Sequence, residues 1–308
     1  MSRRLWWAWV AGLVLAAGAA GQGGSALDFI QLTDTHVTEL RGVAPALAKT
    51  RGHFSGSGKA LGEYFEALAD PVGRPYRPAF FLITGDLIDA FRFAGAGGGQ
   101  VDGQIAAFRR ATSRSPAPLY LALGNHDITD WGLAAGEPDS DQSSAGEARA
   151  AWIAAEESFR RGTYYNFEKH VGSTAYLFLV LDNAYNSGRI ADEQMAWLRR
   201  QVEGQGQRVL ILAMHIPLGE DANSRAIKSA LSAARVALVL AGHRHSNGIE
   251  EIPLGGGQAV QVRTAAFGYG ASNWRRIRLL DGRIEVFATG QPDRLERTMA
   301  VPAAAAAR

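Results

Sequence analysis

Seven histidines occur in the 308-residue chain, and five of them fall in short polar clusters. The clusters read Asp34-Thr35-His36, Gly85-Asp86-Leu87-Ile88-Asp89, Gly124-Asn125-His126-Asp127, Met214-His215-Ile216-Pro217 and Gly242-His243-Arg244-His245, and only His53 and His170 lie elsewhere. Carboxylate, amide and imidazole are the donors that manganese, iron and zinc accept. A single histidine after a strand is ordinarily a hydrogen-bonded structural residue; five arranged this way read as a donor set. Asp34-x-His36 puts two donors on the same side of an extended segment, within reach of one ion, and His243-x-His245 repeats the spacing. Two carboxylates, one amide and four imidazoles are too many for one centre that must also hold water and substrate. Two ions sharing a carboxylate fit the count, and at a separation of about 3.5 to 4 Å such a pair suits in-line attack at phosphorus.

The elements that must carry these residues are six apolar, β-rich runs over residues 27–32, 79–83, 119–123, 176–181, 209–213 and 236–240. All six read as buried strands, and five end within four residues of a donor cluster. Helix-period segments lie between them at 59–69, 104–110, 148–161, 193–202 and 226–234. Strand-helix alternation predicts an α/β fold, in which strand carboxyl ends converge on one edge where ligands bind. After His245 the pattern turns strand-like at 259–264, 275–280 and 283–288, with Asp281-Gly282 as a hairpin turn. This predicts a terminal meander. Residues 95–103 and 132–146 read as loops over the surface, and 303–307 as a low-complexity tail.

The ordered set D-x-H, G-D-x-x-D, G-N-H-D, a lone His after a strand and G-H-x-H, spanning residues 34 to 245, resembles the calcineurin-like metallophosphoesterase superfamily. The resemblance implies a four-layer αββα sandwich with mixed sheets, a dimetal centre at the strand ends and the meander completing the second sheet. It makes Asp34, His36, Asp86 and His245 ligands of one metal, and Asp86, Asn125, His215 and His243 ligands of the other, so that Asp86 bridges. Manganese, iron or zinc is the expected pair, and metal-bound hydroxide the implied nucleophile. His126 would face the phosphate and protonate the leaving oxygen, with Asp127 orienting its imidazole. Asp89, a possible helix cap, stands where the purple acid phosphatase branch has a tyrosine, which argues against that branch. Arg244 is read as turned away from the metals. Trp274, Phe267 and Tyr269 are either a substrate wall or core. Asp182, Asn183 and Tyr185 border the site or pack the sheet.

Composition narrows the function. Of 32 basic and 30 acidic residues, Arg3 and Arg4 lie in an apparent leader without acids, leaving 30 against 30 in the body. A near-neutral body lacks the general attraction to nucleic acid, so a nuclease is disfavoured. The absence of cysteine excludes thiolate ligands and a cysteine nucleophile. Residues 1–26 run Met-Ser-Arg-Arg, an uncharged Leu5 to Ala20 whose Ala17-Gly18-Ala19 supplies a cleavage site, then the small-residue stretch Gly-Gln-Gly-Gly-Ser. That is the order of a secretory signal, of twin-arginine or ordinary type, or of an uncleaved anchor. The expected organisation is a leader at 1–26, a metallophosphoesterase domain at 27–295 and an Ala-rich tail at 296–308. The expected protein is an exported phosphoric ester hydrolase acting on a small-molecule or lipid-headgroup phosphate ester. A diester is preferred to a monoester, because the pattern, including residues 190–198, is similar to bacterial cyclic-nucleotide-type members. A catalytically silent scaffold would have lost ligands, and none is missing.

Overall fold

Side-chain alternation along the apolar runs decides the layering. The computed structural model describes residues 26–70 and 76–303. Its first strand, β1 (Ala26–Leu32), sends Phe29 into one hydrophobic cluster and Ile30 into another. A strand covered on both faces must be apolar throughout, which is why these runs are continuous rather than alternating. β1 is parallel to β2 (Phe81–Thr84), and β2 to β5 (Leu119–Ala122). Antiparallel to β1 runs β14 (Arg275–Leu280), followed outward by β15 (Arg283–Ala288) and β16 (Gln291–Ala300).

The second sheet has the order β12-β13-β11-β10-β9-β8, built from β8 (Tyr165–Val171), β9 (Thr174–Val180), β10 (Val209–Ala213), β11 (Val236–Ala241), β12 (Gly248–Leu254) and β13 (Gly257–Arg263). Its four inner strands are parallel, and β8 and β12 close the edges antiparallel. Between the sheets, Phe29 and Phe80 stack at 4.7 Å and Phe178 meets Phe29 edge-on at 5.6 Å. Helices cover the outer faces. Leu61 and Phe65 of α2 (Ser57–Ala69), Phe108 of α3 (Gln104–Thr112) and Trp152 of α4 (Ala145–Ala155) pack against Ile30, Phe81 and Ile83. On the other side, Leu198 of α5 (Asp192–Glu203) and Ile227 of α6 (Ala222–Ala230) pack against Leu177, Leu179 and Leu212. The result is the αββα sandwich. No helix among the described residues is long and apolar enough to cross a membrane.

Four features differ from the sequence reading. The predicted meander is divided: its first run, 259–264, lies in β13 of the second sheet, whereas the rest, continued as the meander β14-β15-β16, extends the first. The loop before it is tied to the end of β1 by Phe267 N–H to Thr33 O (3.0 Å) and Gly268 N–H to Asp34 O (2.9 Å), and the hairpin β12-β13 already occupies that end of the second sheet. In and beside the segments read as loops lies a third sheet of β3 (Arg92–Ala94), β4 (Gln100–Val101), β6 (Asp130–Ala134) and β7 (Glu137–Asp141), in the order β4-β3-β6-β7. β7, Glu-Pro-Asp-Ser-Asp, has no apolar face to announce it and is held by pairing with β6. The tail begins later than residue 296, because β16 runs to Ala300, which pairs with Arg283. The last helix starts earlier than expected because Asp221 caps α6, its carboxylate accepting from Ser224 N–H at 2.9 Å. Of the leader, only Ala26 falls within the described residues.

Candidate metal centre

The donor loops leave the strand ends through unusual backbone. Among the described residues six non-glycine residues have positive φ, and five are Asp34 (50°), His36 (43°), Asp86 (48°), His243 (66°) and His245 (50°). A left-handed conformation costs about 1–2 kcal/mol per ordinary residue, and such strain gathers where a site demands it. Cross-loop hydrogen bonds hold it: Asp34 N–H to Gly85 O and His36 N–H to Asp86 O, both 2.9 Å. The donors therefore converge through tight turns, not through the extended alternation expected of D-x-H. Two glycines permit the approach. A methyl group on Gly124 would collide with the Asp86 amide and carboxylate, and one on Gly242 with the Thr33 hydroxyl and Asp34 carboxylate.

Two groups of donors result, sharing Asp86. In the first, one donor atom from each of Asp34, His36, Asp86 and His245 lies within 4.8 Å of all the others. His245 Nε2 is 3.0 Å from Asp34 Oδ1 and 3.2 Å from His36 Nε2. In the second, Asn125 Oδ1 is 3.1 Å from both His215 Nε2 and His243 Nδ1, and His215 Nε2 is 3.2 Å from Asp86 Oδ2. His243 and His245 thus serve different groups, so the repeated spacing does not bring both to one ion.

The chemistry of this set fits cations. Imidazole nitrogens face each other at 3.2 Å (His36, His245) and 3.3 Å (His215, His243), lone pair toward lone pair unless a proton or a metal lies between. Two fully or nearly fully buried carboxylates, Asp34 and Asp86, stand beside them. Burial works to raise both carboxyls, but hydrogen bonds and charge from the histidines prevail: Asp34 lies below the ordinary range and Asp86 well below it. Burial opposes the protonated form of His215, yet the Asp86 carboxylate prevails and raises it to about 9. Burial and the neighbouring His215 charge lower His243 to about 4. Such a concentration of buried carboxylate oxygen and imidazole nitrogen is what a divalent or trivalent ion satisfies. Ring orientation is supplied by the protein: His215 Nδ1 faces Thr84 O at 2.9 Å, which leaves Nε2 for the cluster.

His126 lies beside the first group, its ring 4.8 Å from that of His36. Its amide donates to Asp86 Oδ1 (2.9 Å), and its Nδ1 faces Asp89 O (2.8 Å). A carbonyl only accepts, so Nδ1 carries the proton and Nε2 is free to exchange one. The expectation that Asp127 orients this imidazole is corrected. Both Asp127 oxygens accept backbone amides, Oδ1 from Ile88 (2.9 Å) and Oδ2 from Gly124 (2.7 Å), which makes it the clasp between two donor loops. Burial and the Asp86 charge push its carboxyl well above the ordinary range. The orienting residue is Asp89. Its Oδ1 lies 3.5 Å from His126 Nδ1 and 3.3 Å from His36 Nδ1. It caps no helix; Arg51, at the end of α1 (Pro45–Arg51), grips it through Nε at 2.8 Å and through Nη2. Burial raises this carboxyl, but the Arg51 fork prevails and it sits at about 2.

Other residues take more modest places. Asn183 Oδ1 accepts from the amides of His215 (3.0 Å) and Ile216 (3.2 Å), fastening the His215 loop, while Asp182 binds Arg149 at 2.7 Å. Phe267 is core, Trp274 packs against the same cluster, and Tyr269 alone of the three is exposed, with its ring 5.1 Å from His245. Arg244 is exposed. Sequence reasoning missed Arg51 and the buried Gln31, whose amide spans the sheets beneath the site to Thr84, Ala241 and Thr264. A glutamine amid the apolar residues of β1 was the available signal.

A pair of partly buried donor groups at the carboxyl edge of an αββα sandwich defines the metallophosphoesterase class of fold and site. Residues 27–247 match the calcineurin-like phosphoesterase family, and the chain belongs to it. Among solved structures it is similar to a dimetal phosphatase from Danio rerio, with 13% identity, 90% of this chain and 99% of that one covered, and a TM-score of 0.60. It is also similar to the purple acid phosphatase PPD1 from yellow lupin seeds, with 15% identity, 89% and 53% covered and a TM-score of 0.53, so it spans about half of that chain. These likenesses concern the fold. No curated protein matches the sequence.

Proposed function

We propose that the protein is an exported phosphoric ester hydrolase that uses two transition-metal ions, manganese, iron or zinc, with a diester preferred to a monoester. The observation that carries the reading is the convergence of seven donors into two groups sharing Asp86, with His126 beside them. Asp34, His36, Asp86 and His245 would hold one ion, and Asp86, Asn125, His215 and His243 the other. When bound, such a pair neutralises phosphate charge and lowers the pKa of water toward about 7. The chain supplies the rest. His126 Nε2 delivers a proton to the departing oxygen, and a phosphate anion beside the ring favours the second proton that it needs. Asp89 holds the ring in register, and Arg51 keeps Asp89 charged and in place.

The diester preference draws support from charge. Arg51, the guanidinium bonded to Asp89, is committed to that carboxylate and so is not free to neutralise the extra charge of a monoester. Export draws support from the leader's residue order at 1–26. The test loads the protein separately with manganese, iron or zinc and compares bis(p-nitrophenyl) phosphate with p-nitrophenyl phosphate. We expect metal-dependent turnover with the higher kcat/KM on the diester. No turnover with any metal would overturn the hydrolase reading, and a monoester preference would overturn the diester one. Mass spectrometry of the amino terminus after expression, finding residues near 20 to 26 first, would support processing of the leader.

A further inference from the structure

Around one side of the donor cluster runs a continuous arc of rings. It starts at Trp131, whose ring lies 6.4 Å from His126 and near-parallel to it at 27°. The Arg51 guanidinium follows, 4.8 Å from the Trp131 ring and 5.3 Å from that of Phe54. Phe54 stacks on His36 at 4.2 Å and touches both His53, at 4.1 Å, and Tyr269, at 5.1 Å. The arc ends in His53 and Tyr269, which lie parallel within 8° with centroids 5.8 Å apart.

Tyr269 is 58% exposed, the largest exposure of any bulky hydrophobic side chain among the described residues. Its position is nonetheless built. The turn that carries it donates two amides, Phe267 N–H and Gly268 N–H, to the carbonyls of Thr33 and Asp34. Gly268 has no side chain because the Thr35 carbonyl and the Phe54 ring crowd its α-carbon, a Cβ there lying 3.1 Å from each. A tyrosine fastened to a donor loop, facing solvent and backed by aromatic rings, presents a flat π-face at the mouth of the site. The only cation in the arc is neutralised by Asp89, so the wall favours a flat uncharged group over an anionic one.

We propose that the Tyr269–His53 end of this arc is a stacking platform for a planar aromatic ring joined by a short linker to the phosphorus of the substrate. The proposal rests on the phosphoric ester hydrolase reading and names its substrate class: aromatic rather than alkyl esters. Ring stacking on a side chain is sequence-independent and strong enough to read in a binding ratio.

The test uses manganese-loaded protein and isothermal titration with benzylphosphonate and methylphosphonate, which share a headgroup and cannot be turned over as esters. The wild-type protein should bind the benzyl compound at least about fivefold more tightly. Tyr269→Ala should bring the ratio toward one, Tyr269→Phe should keep it, and His53→Ala should lower it in part. A wild-type ratio near one overturns the platform, as does a ratio unchanged in both Tyr269→Ala and His53→Ala. Loss of the ratio in Trp131→Ala alone overturns the assignment to Tyr269. Failure of the underlying reading looks different: benzyl selectivity is present while bis(p-nitrophenyl) phosphate is not turned over with any metal.

Discussion

At the scale of single residues, the site separates holding from proton transfer. Asp86 belongs to both donor groups, and its Oδ1 also receives the His126 amide, so its loss removes a charge from each group and a support from the loop. The His126 ring, by contrast, only packs edge-on against that of His36 and offers Nε2 to substrate. Asp86→Asn and His126→Ala should both lower kcat by at least about 100-fold, the range a positioned acid contributes. Only Asp86→Asn should release metal, as measured by metal content after gel filtration. Equal metal loss in both would contradict the division of roles.

At the scale of elements, strand ends and helix starts together fix the loops that bear the donors. The loop after His215 is an instance: Gly219 N–H donates to Ser224 Oγ (3.0 Å), Ser224 Oγ to Asp221 Oδ2 (2.6 Å), and Leu218 N–H to Gln261 Oε1 (2.8 Å). The amino-terminal cap of α6 thereby pins the chain that follows β10. Burial raises the Asp221 carboxyl, but the hydrogen bonds of the cap, those from Ser224 foremost, together prevail and lower it below the ordinary range. A carboxyl depressed in the folded state stabilises above its unfolded value, about 3.9, and loses that contribution as pH falls through its folded value. Asp221→Ala should cost about 1 kcal/mol at pH 7, with the gap between variant and wild type closing as pH falls below that unfolded value. Urea unfolding across pH measures it, and a gap independent of pH would remove the cap from the account.

For the molecule as a whole, the consequence is a linkage between metal and stability. Two sheets and two helical layers bury Asp34 and Asp86 side by side against four imidazoles, a donor set that exists only in the folded state. A ligand held only by the folded state at 100 times its Kd stabilises by about 2.7 kcal/mol. Removing metal with a chelator should lower Tm by roughly 5–10 °C for a protein of this size, reversed on adding back manganese. Calorimetry reads this directly. An unchanged Tm, with metal shown to have been present, would mean that the donors do not hold it.

The sequence by itself determined the strands and most of what they carry. Runs such as Tyr176 to Leu181 are apolar at every position because both faces are covered, and the donors follow those runs within a few residues, so strand and cluster are legible together. Asp89 was visible as a member of G-D-x-x-D, but not its role. That role depended on Arg51, 38 residues earlier, reaching it across space. Asp127 misled for the complementary reason: adjacency to His126 in sequence suggested contact, whereas the turn sends its carboxylate to the Ile88 and Gly124 amides. The third sheet was hidden because Glu137 to Asp141 is polar on both faces and gains its order from backbone pairing, which leaves no hydrophobic period. The meander joined β1 because the turn at Phe267 to Tyr269 is bonded to the Asp34 loop. Local pattern records burial and spacing, since these act residue by residue; which distant groups meet is settled only when the packed chain closes the distances between them.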